Sequence, residues 1–166
     1  MKKCVFMLIC FLAFAFTSCA GYSADEILSY GNCDFVMELS VDFEGRKHNV
    51  VMKKEGKCSD FLVDSCYTFV YDGESWLIKS GNYEFPVSNE AFGKSLPKKM
   101  IDVIMSNGLG TWKIVLDEEN GNEVFLCDYV SSNVLITVDA GTKYPIEFSD
   151  DEFSAVVNSY KALDGK

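Results

Sequence analysis

Proline and glycine are scarce, at 3 and 12 of 166 residues, which excludes collagen-like repeats and linker-dominated disorder. No apolar run is long enough to cross a bilayer. The longest, Val5 to Phe16, covers about 18 Å at 1.5 Å per residue, against a hydrocarbon core of about 30 Å. Histidine and arginine occur once each, as His48 and Arg46. No Cys-x-x-Cys pair is present either, so the usual zinc spacings are missing and no metal ligand is assigned. Basic side chains are outnumbered, 15 against 25 acidic, for a net charge of -10. Without a phosphate-neutralising face, nucleic acid is excluded as a partner, and anionic lipid headgroups should be repelled as well. Gly-x-Ser-x-Gly, phosphate-loop and dinucleotide motifs are absent, and His48 has no recognisable nucleophile partner. No catalytic residue is assigned, and the chain reads as a non-enzyme. The acidic runs Asp117-Glu118-Glu119 and Asp150-Asp151-Glu152 lack the alternating spacing of a calcium loop and read as solvated turns.

What is present is material for one core: 48% apolar and 14% aromatic residues, in a length that suits a single domain. The chain opens with Lys2 and Lys3, then the apolar run, then Thr17-Ser18-Cys19-Ala20-Gly21, which is the order of an export signal. Small residues around this cysteine resemble the lipobox of bacterial lipoproteins, with Phe16 standing where leucine is commonest. That resemblance implies a lipoprotein signal peptide over residues 1–18 and diacylglycerol, carrying palmitate-like chains, on the Cys19 thiol, with no other cofactor. It also implies a lipidated tether over residues 19–23 and one domain over 24–166, held at the extracytoplasmic face of the cell membrane. Ordinary cleavage after Ala20 satisfies the small-residue rule as well, through Ser18 and Ala20. Losing Lys2 and Lys3 with the leader takes the net charge from -10 to -12. The domain keeps Cys33, Cys58, Cys66 and Cys127. An exported compartment permits disulfides, and Cys58 with Cys66 would bridge neighbouring strands; buried free thiols acting as small hydrophobes fit equally.

From Cys33 the apolar residues recur every second position. Phe35, Met37, Leu39, Val41 and Phe43 alternate with Asp34, Glu38, Ser40, Asp42 and Glu44, the mark of a strand buried on one face. Turn signals at Glu44-Gly45, Glu55-Gly56, Asp72-Gly73, Gly81-Asn82, Asn120-Gly121 and Ala140-Gly141 divide the rest into further strands, with Pro86 marking an edge or strand end. Residues 24–30 suit a short helix. Between Ser95, a candidate N-cap, and the stop at Asn107-Gly108, Leu96, Met100, Ile101, Ile104 and Met105 form a helical stripe, with Pro97 in the first turn. The segment 150–163 fits a helix through Phe153, Val156, Val157 and Tyr160, or a strand through Phe153, Ala155 and Val157. About nine to eleven antiparallel strands interrupted by one helix must curl or close.

In this order the chain resembles the LolA-like superfamily of lipid and lipoprotein carriers, which includes envelope lipoproteins of the LppX and LprG kind. The likeness is carried by Tyr71-Asp72-Gly73-Glu74-Ser75-Trp76, by Ser95 to Asn107 at the place of a covering helix, and by the passage from Ile136 to Ile146 with its Gly141-Thr142 turn and Pro145. It implies an α+β, mainly β fold: an incomplete antiparallel β-barrel, or curved sheet, covered by one or two helices. It also implies strand rather than helix over 150–163. The family's cavity arginine has no counterpart, because Arg46 falls in a turn.

Two functions follow. In the first, the anchored envelope protein holds an acyl chain or other apolar ligand, as a lipid or lipoprotein carrier does. The ligand would lie between a sheet row of Phe35, Met37, Leu39, Val41 and Phe43 and a helix row of Met100, Ile101, Ile104 and Met105. In the second, the same residues fill a solid core, and the protein is an anchored, non-catalytic interaction or sensory module with an envelope protein as partner.

Overall fold

The computed structural model describes residues 28–105, 111–117, 122–129 and 132–163. The expected signal peptide, Cys19 and its tether, the Asn107-Gly108 helix stop, the Asn120-Gly121 turn and the Cys127 side chain lie outside the described residues.

The alternating segments form eleven strands: β1 (Asp34–Phe43), β2 (Arg46–Glu55), β3 (Cys58–Val63), β4 (Tyr67–Tyr71), β5 (Trp76–Ser80), β6 (Tyr83–Val87), β7 (Thr111–Asp117), β8 (Asn122–Tyr129), β9 (Ser132–Asp139), β10 (Pro145–Ser149) and β11 (Phe153–Leu163). They build one open, curved antiparallel sheet in the order β6-β5-β4-β3-β2-β1-β11-β10-β9-β8-β7. Two meanders therefore run in opposite directions: β1 to β6 outward to one edge, β7 to β11 inward from the other. The meanders meet at the centre, where β1 pairs β11 from Asp34↔Leu163 to Phe43↔Phe153. The described part of the crossover between the two edges, residues 88–105, lies over one face of the sheet and contains helix α1 (Leu96–Ile104). Among the described residues, no helix is long and apolar enough to cross a membrane.

Local chemistry sets the joints. The β1–β2 hairpin closes on Glu44 and Gly45, with φ of 52° and 73°; two successive left-handed residues match the twist of a two-residue hairpin, and Gly45 takes its place without a Cβ penalty. Helix α1 starts at Ser95, whose backbone is extended and whose side-chain oxygen accepts from the Lys98 N–H, satisfying one orphan donor of the first turn. Pro97 lies in that turn, where no N–H partner is needed.

Two sequence expectations change, and one open alternative is decided in favour of the strand that the resemblance implied. Asp72-Gly73 is part of a four-residue loop and not a tight two-residue turn: Tyr71 pairs with Trp76, and the Asp72 carboxylate caps the N–H groups of Glu74 and Ser75 at 2.8 and 2.7 Å. The described part of the short N-terminal helix is a single 3-10 turn, Leu28–Asn32. The last segment is a strand. Its helix-like spacing comes from a bulge: Leu39 pairs Val157 and Glu38 pairs Ser159, so Asn158 is the extra residue and the inward phase jumps by one. Phe153, Ala155, Val157 and Tyr160 then share the core face despite their mixed intervals.

Candidate functional site

The sheet face under the crossover gathers the residues assigned to ligand contact. Phe35, Met37, Leu39 and Val41 from β1 and Met100 and Ile104 from α1 are buried in one cluster, with Phe43, Ile101 and Met105 partly buried against it. The arrangement follows from register. Met37 pairs Met52, Met52 pairs Phe61 and Phe61 pairs Phe69, and directly opposed residues share a face. Met37, Met52, Phe61, Met100, Ile104, Ile136 and Phe148 have no accessible surface. A side chain bordering a water-sized void keeps some accessible surface, so these residues touch protein on every side.

Several members of this cluster escape the sequence patterns. Val103 is buried where the helical stripe pointed to Ile101; its spacing of three from Met100 and seven from Leu96 was the available signal. Trp76 and Phe92 stack with ring centroids 4.5 Å apart, and Trp76 also lies 6.0 Å from Phe61. The Trp76 Nε1 is buried without a hydrogen-bond acceptor among the described residues. Lys54 and Ser59 are buried polar residues on the same face. Lys54 pairs with Phe35 across β1–β2, and its ammonium donates to the Cys33 carbonyl at 3.1 Å.

Polar links fix the cover to the sheet. Lys99 of α1 sits 2.5 Å from the Asp150 carboxylate, whose side chain is 1% exposed at the β10–β11 turn. Tyr30 of the N-terminal turn donates to the Ile104 carbonyl at 3.4 Å, and its ring meets Phe148 edge-on at 5.8 Å. Burial raises the Tyr30 hydroxyl pKa far above its ordinary value, with Tyr160 adding to the shift. Tyr160, which donates to the Tyr30 carbonyl, is pushed up to about 12 by burial first and then by Cys33 and Tyr144. Both phenols stay neutral donors at physiological pH.

Another pair of titratable groups holds a turn. His48 Nδ1 lies 2.8 Å from Asp64, which also accepts the Asn49 N–H at 2.9 Å. These bonds, His48 first, lower the Asp64 pKa and hold Asp64 and Ser65 at φ of 50° and 57°, a left-handed corner that needs such support. Among the described residues no group of His, Cys, Asp and Glu has metal-binding geometry. Two solvent-open grooves border the cluster, reaching Val41 and Phe153 from outside. One, of 510 Å³, runs along the outer face by Ser40, Asn49 and Val156; the other, of 440 Å³, is acidic and lined by Asp42, Glu44, Asp150 and Glu152.

Cys33, Cys58 and Cys66 are free and exposed, which corrects the reading of buried thiols. Cys58 opens β3 and Cys66 follows its far end, so about 16 Å of strand separates them at 3.3 Å per residue. A disulfide needs Cα atoms within about 7 Å, and the bridge between these two is ruled out.

The core row continues beyond its cover. Phe69 pairs Ile78, and Ile78 pairs Phe85 on edge strand β6. Along this single row exposure climbs from 0% at Phe61, through partly buried Phe69 and Ile78, to 53% at Phe85, with Tyr83 beside it at 70% and Tyr67 at 53%. The crossover leaves β6 at Val87 and passes over Trp76 and Phe69 through Phe92, so the opposite end of β4–β6 stays bare.

No family model matches this chain, and no curated protein matches it. Among solved structures, it aligns with PNGF-II in its C2 crystal form at 8% identity and a TM-score of 0.40, over 81% of this chain and 28% of that one. It aligns with MucB, in a complex with MucA(peri), at 8% identity and a TM-score of 0.42, over 87% of this chain and 57% of that one. The chain thus spans about a quarter and somewhat over half of the lengths of these two proteins.

Proposed function

We propose that this chain is an exported, lipid-anchored, non-catalytic interaction module of the cell envelope that works through the uncovered end of its sheet and not through its interior. The exposure gradient along one residue row carries this reading. Met37, Met52 and Phe61 are sealed, which leaves no room beside them for an acyl chain, while Phe85 on the same row faces solvent and calls for a partner. Cys19 with its diacylglycerol is the anchor, and the extracytoplasmic membrane face is the location, on the strength of the leader. Native mass spectrometry of the protein from its own host tests the proposal. The expected mass is the chain from Cys19 plus covalent diacylglycerol and nothing further. A stoichiometric, noncovalently held lipid overturns the solid-core reading, and an unmodified start at Gly21 removes the anchor.

One feature favours carriage of an acyl chain as a second reading, in the manner of the LolA-like carriers. The covering layer is fastened by two polar links, Lys99 to Asp150 and Tyr30 to Ile104, above methionines that repack around variable ligands. Loading then lifts α1 and breaks both links. A fatty acid added to the delipidated protein would shift Trp76 emission under this reading and leave it unchanged under the first.

A further inference from the structure

We propose that the bare aromatic end of the sheet rests on the lipid headgroup layer of the membrane that anchors the chain. This rests on the Cys19 anchor proposed above, and adds the docking surface and its occupant. The surface consists of Tyr67, Phe69, Ile78, Tyr83 and Phe85, all on the core face by their pairing. Tyr83 stacks on Phe85 with centroids 6.3 Å apart, and Tyr67 lies 6.5 Å from Phe69. Aromatic bodies with hydroxyl tips are the side chains that settle at the boundary between headgroups and acyl chains.

The main chain of β6 argues against an added polypeptide strand. The two-residue turn Gly81-Asn82 makes Ser80 and Tyr83 a hydrogen-bonded pair, so by alternation Glu84 and Pro86 turn their backbone groups to the free edge. Pro86 has no N–H, and an incoming strand finds a single donor there. The tether argues for the bilayer. The Leu28–Asn32 turn packs on this same face, since Tyr30 touches Ile104 and Phe148, and the nine steps from Cys19 to Leu28 span at most about 32 Å. The tether therefore joins the domain on the face that carries the patch, within reach of the anchored membrane. Charge permits the contact as well: none of the five patch residues is charged, and Lys79 and Glu84, on the opposite face of the same strands, pair with each other at 3.1 Å.

The test uses the full chain, expressed with its leader and reconstituted in phosphatidylcholine vesicles that contain a diazirine-bearing phosphatidylcholine, after its intact mass has been measured. Photolysis is expected to label the peptide covering residues 80–87 at least about fivefold above peptides carrying Val51 and Val156, which are exposed on the opposite face. The double variant Tyr83→Ser, Phe85→Ser changes exposed positions only, so it should keep the melting temperature while labelling of the Tyr67 peptide falls to the outer-face level. Diacylglycerol on Cys19 with uniform labelling overturns the docking and leaves the anchor standing. Unmodified Cys19 overturns the anchor; docking then survives only if the chain still floats with vesicles, and falls if it stays in the aqueous fraction. Equal labelling of both proteins, or a protein found covering the patch in native membranes, also overturns it.

Discussion

Met37 and Phe85 stand at two ends of one row, and burial alone separates their consequences. Met37→Glu places an unpaired carboxylate in a sealed site and is expected to cost about 3–5 kcal/mol, whereas Phe85→Ser, already half in water, should stay within about 0.5 kcal/mol. Urea midpoints of the two variants measure the contrast, and an unchanged midpoint for Met37→Glu would falsify the packed interior. Acid response is also set by single residues. Asp72 accepts from the Ser75 and Glu74 N–H groups and Asp139 from the Thr142 N–H and hydroxyl, and these bonds hold both carboxyls below their ordinary pKa. Lowered folded values mean that the unfolded chain binds protons first. The stabilisation is complete above the usual carboxylate range and is lost as pH falls through the lowered values. Between pH 7 and about pH 2 the melting temperature of the Asp72→Asn, Asp139→Asn variant should fall less steeply than that of the wild type. Residues obeying alternation, such as Phe35 to Val41, were legible in the sequence. Lys54 was not, because a charged residue on a core face is justified only by an acceptor that the register brings in, here the Cys33 carbonyl.

Helix α1 depends on a link outside itself. Lys99→Met keeps the apolar stem but strands a carboxylate at Asp150 that is 1% exposed, and the expected loss is about 3 kcal/mol. The companion Asp150→Asn should recover part of that loss when both changes are combined, which a double-mutant cycle in urea resolves. A loss under 1 kcal/mol, or simple additivity, removes the pair from the account of how the cover is held. The start of this element was readable from Ser95 and Pro97 because capping is local chemistry. Its stripe missed Val103, which is buried, because spacings of four and five select Ile101 and Met105, which pack only partly against the cluster. β11 shows the reverse case: every inward residue was visible, yet the bulge at Asn158 broke the period and imitated a helix. Bulges are decided by the partner strand, here Glu38 and Leu39 of β1, and sequence alone does not display them.

At the scale of the whole molecule, an open eleven-stranded sheet has to guard its ends. On β6 the guard is Pro86, anticipated from the sequence as an edge or strand end. Pro86→Val restores an outward N–H next to exposed Tyr83 and Phe85, and sedimentation velocity is expected to show association that grows with concentration while the wild type stays unchanged. A monomeric variant would mean that the edge is protected by something other than the missing donor. The central seam carries a different consequence. β1 is the sixth strand of the eleven, and its inner neighbour is β11, whose partners lie more than a hundred residues later in the chain. Folding therefore cannot finish at the middle until the final strand is delivered, and pairing at such separation is slow. A polypeptide threaded head first through a translocation channel would emerge with its first meander half-built and its seam still open. For a chain exported as proposed above, the architecture would keep it passable in transit and lock it only on arrival.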